Sequence, residues 1–336
     1  MPTAPTWLIT GTSSGFGLSL AQHVLHSHHN LISISRHAAP HDSLTELANT
    51  NDLTLHHLTI DLSSPTETTI TSAISTFLTK HPDVSIDILI NNAAICAFGP
   101  LETLPTSTIE RCMTVNFYSP LWLIQACLPH MRTSANGLAK VIVNISSTQG
   151  LTCDAAEVAY ESSKHALEGM SGVLAKEVAP FGIRTVVVNL GSFRTSFALG
   201  DSATSGSVDE EFLRGGEDGD PYQDGSHPVK KRIEGCLAFA NMPGAARGDP
   251  DKGAGVVFGA VMRTGGSKAD EALKRQREAI VNGEMGGVSG VERLILGSDA
   301  LPKIENASGW FGMQVESCGV VSCEADADGV KPLPGR

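Results

Sequence analysis

The sequence predicts an α/β fold, one domain built on a doubly wound parallel sheet. Two observations carry this. Short runs rich in Ile, Val and Leu recur through the first two hundred residues and are apolar on both faces, as strands covered by helices on each side must be. Between them lie segments whose apolar residues repeat at helical spacing, and parallel neighbours need such crossovers.

The elements follow in order. Thr6 to Thr10 opens the sheet and stops at Gly11; Leu31 to Ser35, Leu53 to Asp61, Ile86 to Asn91, Lys140 to Ser146 and Ile183 to Asn189 continue it. Leu18, Ala21 and Leu25 share one face of the first helix, and Ile70, Ile74, Phe77 and Leu78 share a face of a later one. From about Gly200 to His227 the chain carries Asp209, Glu210, Glu211, Glu217, Asp218, Asp220 and Asp224 among Gly and Ser, and reads as a long solvated connection. Asp249 to Met262 is helical again, and Arg293 to Leu296 is one more strand. Gly265 to Gly290 holds a charged helical piece, Lys268 to Ile280, bracketed by glycines and read as a surface insertion. The tail after Cys323 is acidic and bears Pro and Gly, the pattern of a frayed end. Residues 1–200 therefore form the core, 201–300 its continuation within the same domain, and 301–336 a tail.

Composition bounds the function. Of 336 residues, 41% are apolar and 18% charged, enough to bury a sizeable core and to exclude wholesale disorder. A net charge of -12 without a basic tract argues against a nucleic-acid partner. No stretch reaches the ~18 to 20 apolar residues of a membrane span, and the first residues lack a signal-peptide pattern. Seven cysteines without a C-x-x-C pair fit reduced thiols. The expectation is a soluble, acidic, cytoplasmic protein.

Thr10-Gly11-Thr12-Ser13-Ser14-Gly15-Phe16-Gly17 stands where the first strand ends and the first helix begins. A dinucleotide needs small residues there: Gly11 to turn, Gly15 to admit the pyrophosphate, and Gly17 to let helix and sheet pack closely. Three glycines in seven residues would also suit an ordinary turn; their position ahead of an amphipathic helix favours a cofactor. Ser13, Ser14 and Phe16 lie inside the turn and count among its contacts. At the end of the second strand Ile34-Ser35-Arg36-His37 offers no carboxylate for a ribose 2′-hydroxyl before Asp42. Arg36 can fork onto a 2′-phosphate, with Ser13 and His37 as further donors. NADP(H) is the expected cofactor.

Tyr160 and Lys164 are four apart on a predicted helix and share a face. A tyrosine of pKa ~10 serves as acid or base at neutral pH only when a cation stabilises its phenolate, and Lys164 can supply that charge. The strand Val141 to Ile145 delivers Ser146 and Ser147 to the sheet edge over which ligands bind in such folds. The Tyr/Lys spacing alone arises often by chance; its meaning comes from occurring with the glycine turn and the strand-end serine.

Together these residues resemble the short-chain dehydrogenase/reductase family, over roughly residues 5 to 200 and more loosely to 300. Thr10-Gly11-x-x-x-Gly15-x-Gly17 resembles its cofactor turn, and Asn91-Asn92-Ala93-Ala94 its Asn-Asn-Ala-Gly segment, with Ala94 for Gly. Ser147 with Tyr160-x-x-x-Lys164 is similar to its catalytic group, and Asn116 to the Asn that completes the tetrad. Between the two serines, the family's spacing to the tyrosine selects Ser147 over Ser146. The pair Asp61-Leu62 is similar to the adenine contact. Asn189-Leu190-Gly191 through Thr195 resembles the segment near the nicotinamide, Phe193 and Thr195 included, but Leu190 replaces a proline, which predicts a looser loop. Gly248-Asp249-Pro250 and Arg293 to Ala300 are similar to C-terminal stretches of fungal-type members related to 17β-hydroxysteroid and retinol dehydrogenases.

The resemblance implies a Rossmann-like fold and hydride transfer between nicotinamide and a ketone or secondary alcohol. Ser147 would steady the oxyanion, Tyr160 would move the proton, Lys164 would tune Tyr160 and hold the ribose, and Asn116 would hold a relay water. Asn92, Tyr160 and Lys164 join the cofactor contacts. Phe193, Phe197, Phe212 and Leu213 suggest a moderately apolar carbonyl or alcohol substrate, with residues from Asp209 to Asp224 as a lid. Family members commonly pair into homodimers or homotetramers. An alternative is a cofactor-binding relative with a non-redox role, cyclisation, isomerisation or scaffolding, favoured only by Leu190 and the insertion. An oxidative NAD-dependent enzyme is opposed by Arg36. The histidines His23, His26, His28, His29, His56 and His57 read as ordinary residues, with no metal expected, and Cys153 reads as a pocket-lining thiol.

Overall fold

Seven strands form one parallel sheet: β1 (Thr6–Thr10), β2 (Asn30–Ser35), β3 (Leu55–Thr59), β4 (Ile88–Asn91), β5 (Lys140–Ser147), β6 (Ile183–Leu190) and β7 (Glu292–Leu296). They lie in the order β3-β2-β1-β4-β5-β6-β7, so the winding reverses beside β1 and opens a crevice at the carboxyl ends of β1 and β4. The computed structural model describes residues 4–133, 136–195, 197, 220–242, 246, 248–263, 268–281, 291–297, 299–300 and 303–305. The expected acidic lid from Asp209 onward is described only from Asp220. Phe212, Leu213, the glycines flanking the expected insertion and the tail with Cys318 and Cys323 lie outside the described residues.

The helices are α1 (Gly15–His26), α2 (Asp42–Thr50), α3 (Glu67–Lys80), α4 (Thr106–Met113), α5 (Ser119–Thr133), α6 (Val158–Val178), α7 (Pro228–Asn241), α8 (Pro250–Met262) and α9 (Lys268–Val281). Alternate strand residues face opposite layers. Ile9, Val143 and Val188 pack with Leu20, Val24 and Val257 from α1 and α8. Leu8, Leu89 and Ile142 pack with Ile70, Ile74, Leu123 and Leu174 from α3, α5 and α6. Two apolar faces per strand therefore reflect two buried layers.

The outer strands depart from that pattern. β3 is only half-buried, and its His56 ring meets Phe77 edge-on and His81 at a tilt, with ring centroids 5.0 and 4.3 Å away. At the other edge β7 is tied to β6 by the Arg184 guanidinium, which donates to both Glu292 carboxylate oxygens at 2.9 and 2.7 Å. The charged helix expected as a surface insertion closes this edge. Leu273 of α9 is fully buried in the core, and the Gln276 amide accepts from the Arg293 N–H at 2.8 Å and donates to its carbonyl at 2.9 Å. An edge strand leaves its N–H and C=O groups open, and a side-chain amide satisfies both as a further strand would.

Candidate active site

The glycine turn is dictated by backbone. Gly11 and Gly15 take positive φ of +72° and +57°, a region that side chains disfavour. A Cβ on Gly17 would stand 2.3 Å from the Gly11 carbonyl oxygen. The Asn92 amide donates to the Thr10 carbonyl at 2.9 Å, and Thr10 Oγ1 accepts from the Asn92 and Ala93 N–H groups at 2.9 and 3.0 Å. Asn92, expected on the cofactor, thus has its side chain committed to holding the turn.

At the start of α1, Ser14 is extended and its side chain makes no capping bond, and the first turn carries no acid. That leaves a helix terminus suited to an anion. Thr195 packs against Gly15, its Cβ and Cγ2 3.3 Å from where a Gly15 Cβ would stand. Phe16 follows Gly15 at the start of α1. Its ring is buried and meets Phe193 edge-on at 5.6 Å, so both rings serve packing, and Phe16 can offer a ligand only its backbone.

The β2 exit is held by a chain of hydrogen bonds the sequence did not suggest. Thr12 and Ser33 hydroxyls meet at 2.7 Å, Ser33 meets His57 Nδ1 at 3.0 Å, and His57 Nε2 meets the His37 carbonyl at 2.8 Å. A carbonyl only accepts, so His57 Nε2 carries the hydrogen and Nδ1 takes that of Ser33. Arg36 and His37 themselves are exposed on this loop. Beyond β3, Leu62 is buried, while Asp61 is exposed and accepts from the Ser63 N–H at 2.9 Å.

Ser147, Tyr160 and Lys164 meet at the carboxyl end of β5. All three are buried. Lys164 Nζ donates to the Ile145 carbonyl at 2.9 Å and lies 5.7 Å from the Tyr160 ring centroid. The neighbouring Ser146 Oγ is buried without a hydrogen-bond partner. The Asn189 amide fixes the Ser147 carbonyl at 2.9 Å. Asn116 stands in a π-helical turn, Thr114–Tyr118, an irregularity frequent at functional sites. Its amide donates to the Ile95 carbonyl at 2.8 Å and to Ser163 at 2.9 Å, and its Oδ1 accepts from the Ile95 N–H.

Burial pushes the Tyr160 phenol well above its ordinary range, and nearby Glu157 adds to this. Burial also lowers Lys164 to about 8, against the pull of Glu168. Burial is the first cause of both shifts.

The segment after β6 is tethered rather than loose. Leu190 continues the strand into register with Leu296, where a proline would lack the ladder N–H. Gly191 N–H donates to the Leu296 carbonyl at 2.7 Å, and the Asp299 carboxylate accepts from Ser192 N–H and Oγ at 3.1 and 2.8 Å. Over Tyr160 lies an apolar cluster of Cys96, Phe98, Ala156, Val229 and Ile233, with Phe197 at its margin. Cys153, expected to line the pocket, is exposed and its thiol is pushed up rather than down. Cys96 holds the place by Tyr160 instead. Val229 and Ile233 come from α7, whose docking no local pattern signals.

The profile of the short chain dehydrogenase family matches residues 5–204. The chain belongs to the short-chain dehydrogenases. It is 33% identical over 256 residues to the uncharacterized oxidoreductase YusZ of Bacillus subtilis, spanning 75% of this chain and 82% of that one. It is 35% identical to the oxidoreductase claN of Passalora fulva over 57% of this chain and 84% of that one. A crystal structure of a short-chain dehydrogenase from Streptomyces avermitilis superposes with a TM-score of 0.72, at 25% identity, over 97% of this chain and 100% of the other. Like its relatives, this short-chain dehydrogenase is an oxidoreductase on the Rossmann-like sheet, using a nicotinamide cofactor. Among the described residues no helix is long and apolar enough to cross a membrane, and no three His, Cys, Asp or Glu side chains converge as metal ligands.

Proposed function

We propose that this short-chain dehydrogenase is an NADP(H)-dependent ketoreductase acting on a moderately apolar ketone or secondary alcohol. The observation that carries the reading is the meeting of Ser147, Tyr160 and Lys164 at the crevice end of β5, with the apolar cluster of Cys96, Val229 and Ile233 beside the phenol. The glycine turn, the uncapped α1 terminus and Thr195 would hold the pyrophosphate, and Arg36 the 2′-phosphate. Bound nicotinamide would supply the hydride.

This chain's residues do the rest. Ser147 donates to the carbonyl oxygen as charge develops there, and Tyr160 delivers the proton. Lys164 Nζ, near the ring, has hydrogens left for a ribose beyond its bond to Ile145. Both amide hydrogens of Asn116 are committed to Ile95 and Ser163, so what it offers a relay water is backbone. The tethered segment after β6 removes one of the two features that favoured a non-redox role. The reduced thiols and acidic charge suit the cytoplasm.

Fluorescence titration with NADPH and NADH tests the reading. NADPH should bind more tightly than NADH, and Arg36→Ala should weaken NADPH alone by about tenfold. Tyr160→Phe should bind NADPH as the wild type does and lose about a hundredfold or more of carbonyl reduction. Failure of both cofactors to bind would sink the assignment.

A further inference from the structure

The hydrogen-bond chain behind Arg36 has no part in that reading, although it joins the glycine turn to the β2 exit. It starts inside the turn at Thr12 and passes to Ser33, both buried, whose hydroxyls meet at 2.7 Å. A hydroxyl inside a sheet costs stability unless it is bonded. Ser33, between Ile32 and Ile34 of β2, finds its second partner in His57 of β3 at 3.0 Å. The chain ends on His37, the residue after Arg36. The His37 carbonyl accepts from His57 Nε2 at 2.8 Å and from Thr59 Oγ1 at 3.2 Å, and the His37 N–H donates to Ser35 Oγ at 3.3 Å. Arg36 and His37 are exposed, where water can satisfy a backbone. Here side chains of β2 and β3 take both polar groups of the residue beside Arg36 instead.

We propose that His57 is a positioning residue for cofactor specificity, fastening the backbone of the Arg36 loop to the glycine turn so that Arg36 meets a 2′-phosphate from a fixed stem. The imidazole suits this because it uses both nitrogens, accepting from Ser33 at Nδ1 and donating to the His37 carbonyl at Nε2. A lysine there could only donate and a carboxylate only accept. The stem matters because of what Arg36 must do. An arginine loses rotamer freedom when its guanidinium forks onto a phosphate, and a backbone already held in place lowers the cost of that ordering. The 2′-phosphate is the one group that distinguishes NADPH from NADH. A loosened stem therefore falls on the preference between the two, while the shared dinucleotide keeps its turn and helix terminus.

This rests on Arg36 meeting the 2′-phosphate in the proposed NADP(H) enzyme, and the test separates the two. Fluorescence titration gives the ratio of the NADH to the NADPH dissociation constant for each variant. His57→Phe should lower that ratio about tenfold, through NADPH, with NADH binding held within about twofold. His57→Gln, whose amide carries one donor and one acceptor, should keep the ratio within about threefold of the wild type. Ser33→Ala, which cuts the tie to the turn without adding bulk, should lower it as well and serves where a ring at position 57 prevents folding. In an Arg36→Ala background His57→Phe should leave the ratio where Arg36→Ala alone puts it. An unchanged ratio in His57→Phe or Ser33→Ala, equal weakening of both cofactors, or a loss in His57→Gln as large as in His57→Phe overturns the inference alone. A wild type without a preference for NADPH overturns the reading beneath it.

Discussion

At the scale of single residues, burial sets the chemistry more than sequence spacing does. Tyr160 and Lys164 stand four apart as the motif requires, yet both are so enclosed that each is pushed towards its neutral form. Glu161, next in sequence to the tyrosine, shows the same effect. Burial raises its carboxyl to about 8, against the hydrogen bond from Asp154. Its folded-state value lies above the ordinary 4.5, so the stability it lends is complete below that pH and is lost as pH rises towards 8. Glu161→Gln mimics the protonated form. Its melting temperature should exceed that of the wild type by a few degrees at pH 8 and differ little at pH 5, as thermal melts at the two values would read. Neither Glu157 nor Glu161 stood out in the sequence, because a carboxylate's enclosure depends on what α7 and the Gln149–Asp154 segment place around it.

At the scale of elements, two contacts decide whether the site forms. Gly17 is where α1 meets the Gly11 carbonyl, and a Cβ placed 2.3 Å from that oxygen must push helix and turn apart. Gly17→Ala should cost about 1 to 3 kcal/mol in denaturant unfolding and lose NADPH binding more steeply than stability. The opposite edge depends on Gln276, whose amide pairs with both backbone groups of Arg293. Gln276→Ala should destabilise by about 1 kcal/mol, and the Arg293 amide should then exchange with solvent deuterium faster than its β7 neighbours. The strands and first helix were legible because their apolar periodicity follows from facing two buried layers. The charged face of α9 reads as surface, and only the packed structure shows Leu273, the one described side chain of α9 that enters the core.

At the scale of the whole molecule, the layer of α5 and α6 leaves large apolar side chains exposed: Tyr118 before α5, Val173 on α6 and Phe181 after it, at 41%, 58% and 49%. We expect this face to pair copies of the chain, so light scattering after size exclusion should give a dimer or tetramer that Val173→Asp shifts towards monomer; a monomeric wild type would refute it. The sequence by itself determined the parallel sheet, the glycine turn and the Ser147, Tyr160 and Lys164 positions, since each depends on local periodicity, backbone freedom or register along one strand or helix. Only the tertiary structure decided the rest: Cys96 rather than Cys153 beside the phenol, Asn92 holding the turn, the His57 chain behind Arg36, and Arg232 over Glu157. Those contacts join residues from 20 to 82 positions apart, and desolvation, hydrogen-bond partnership and charge pairing are properties of the packed whole.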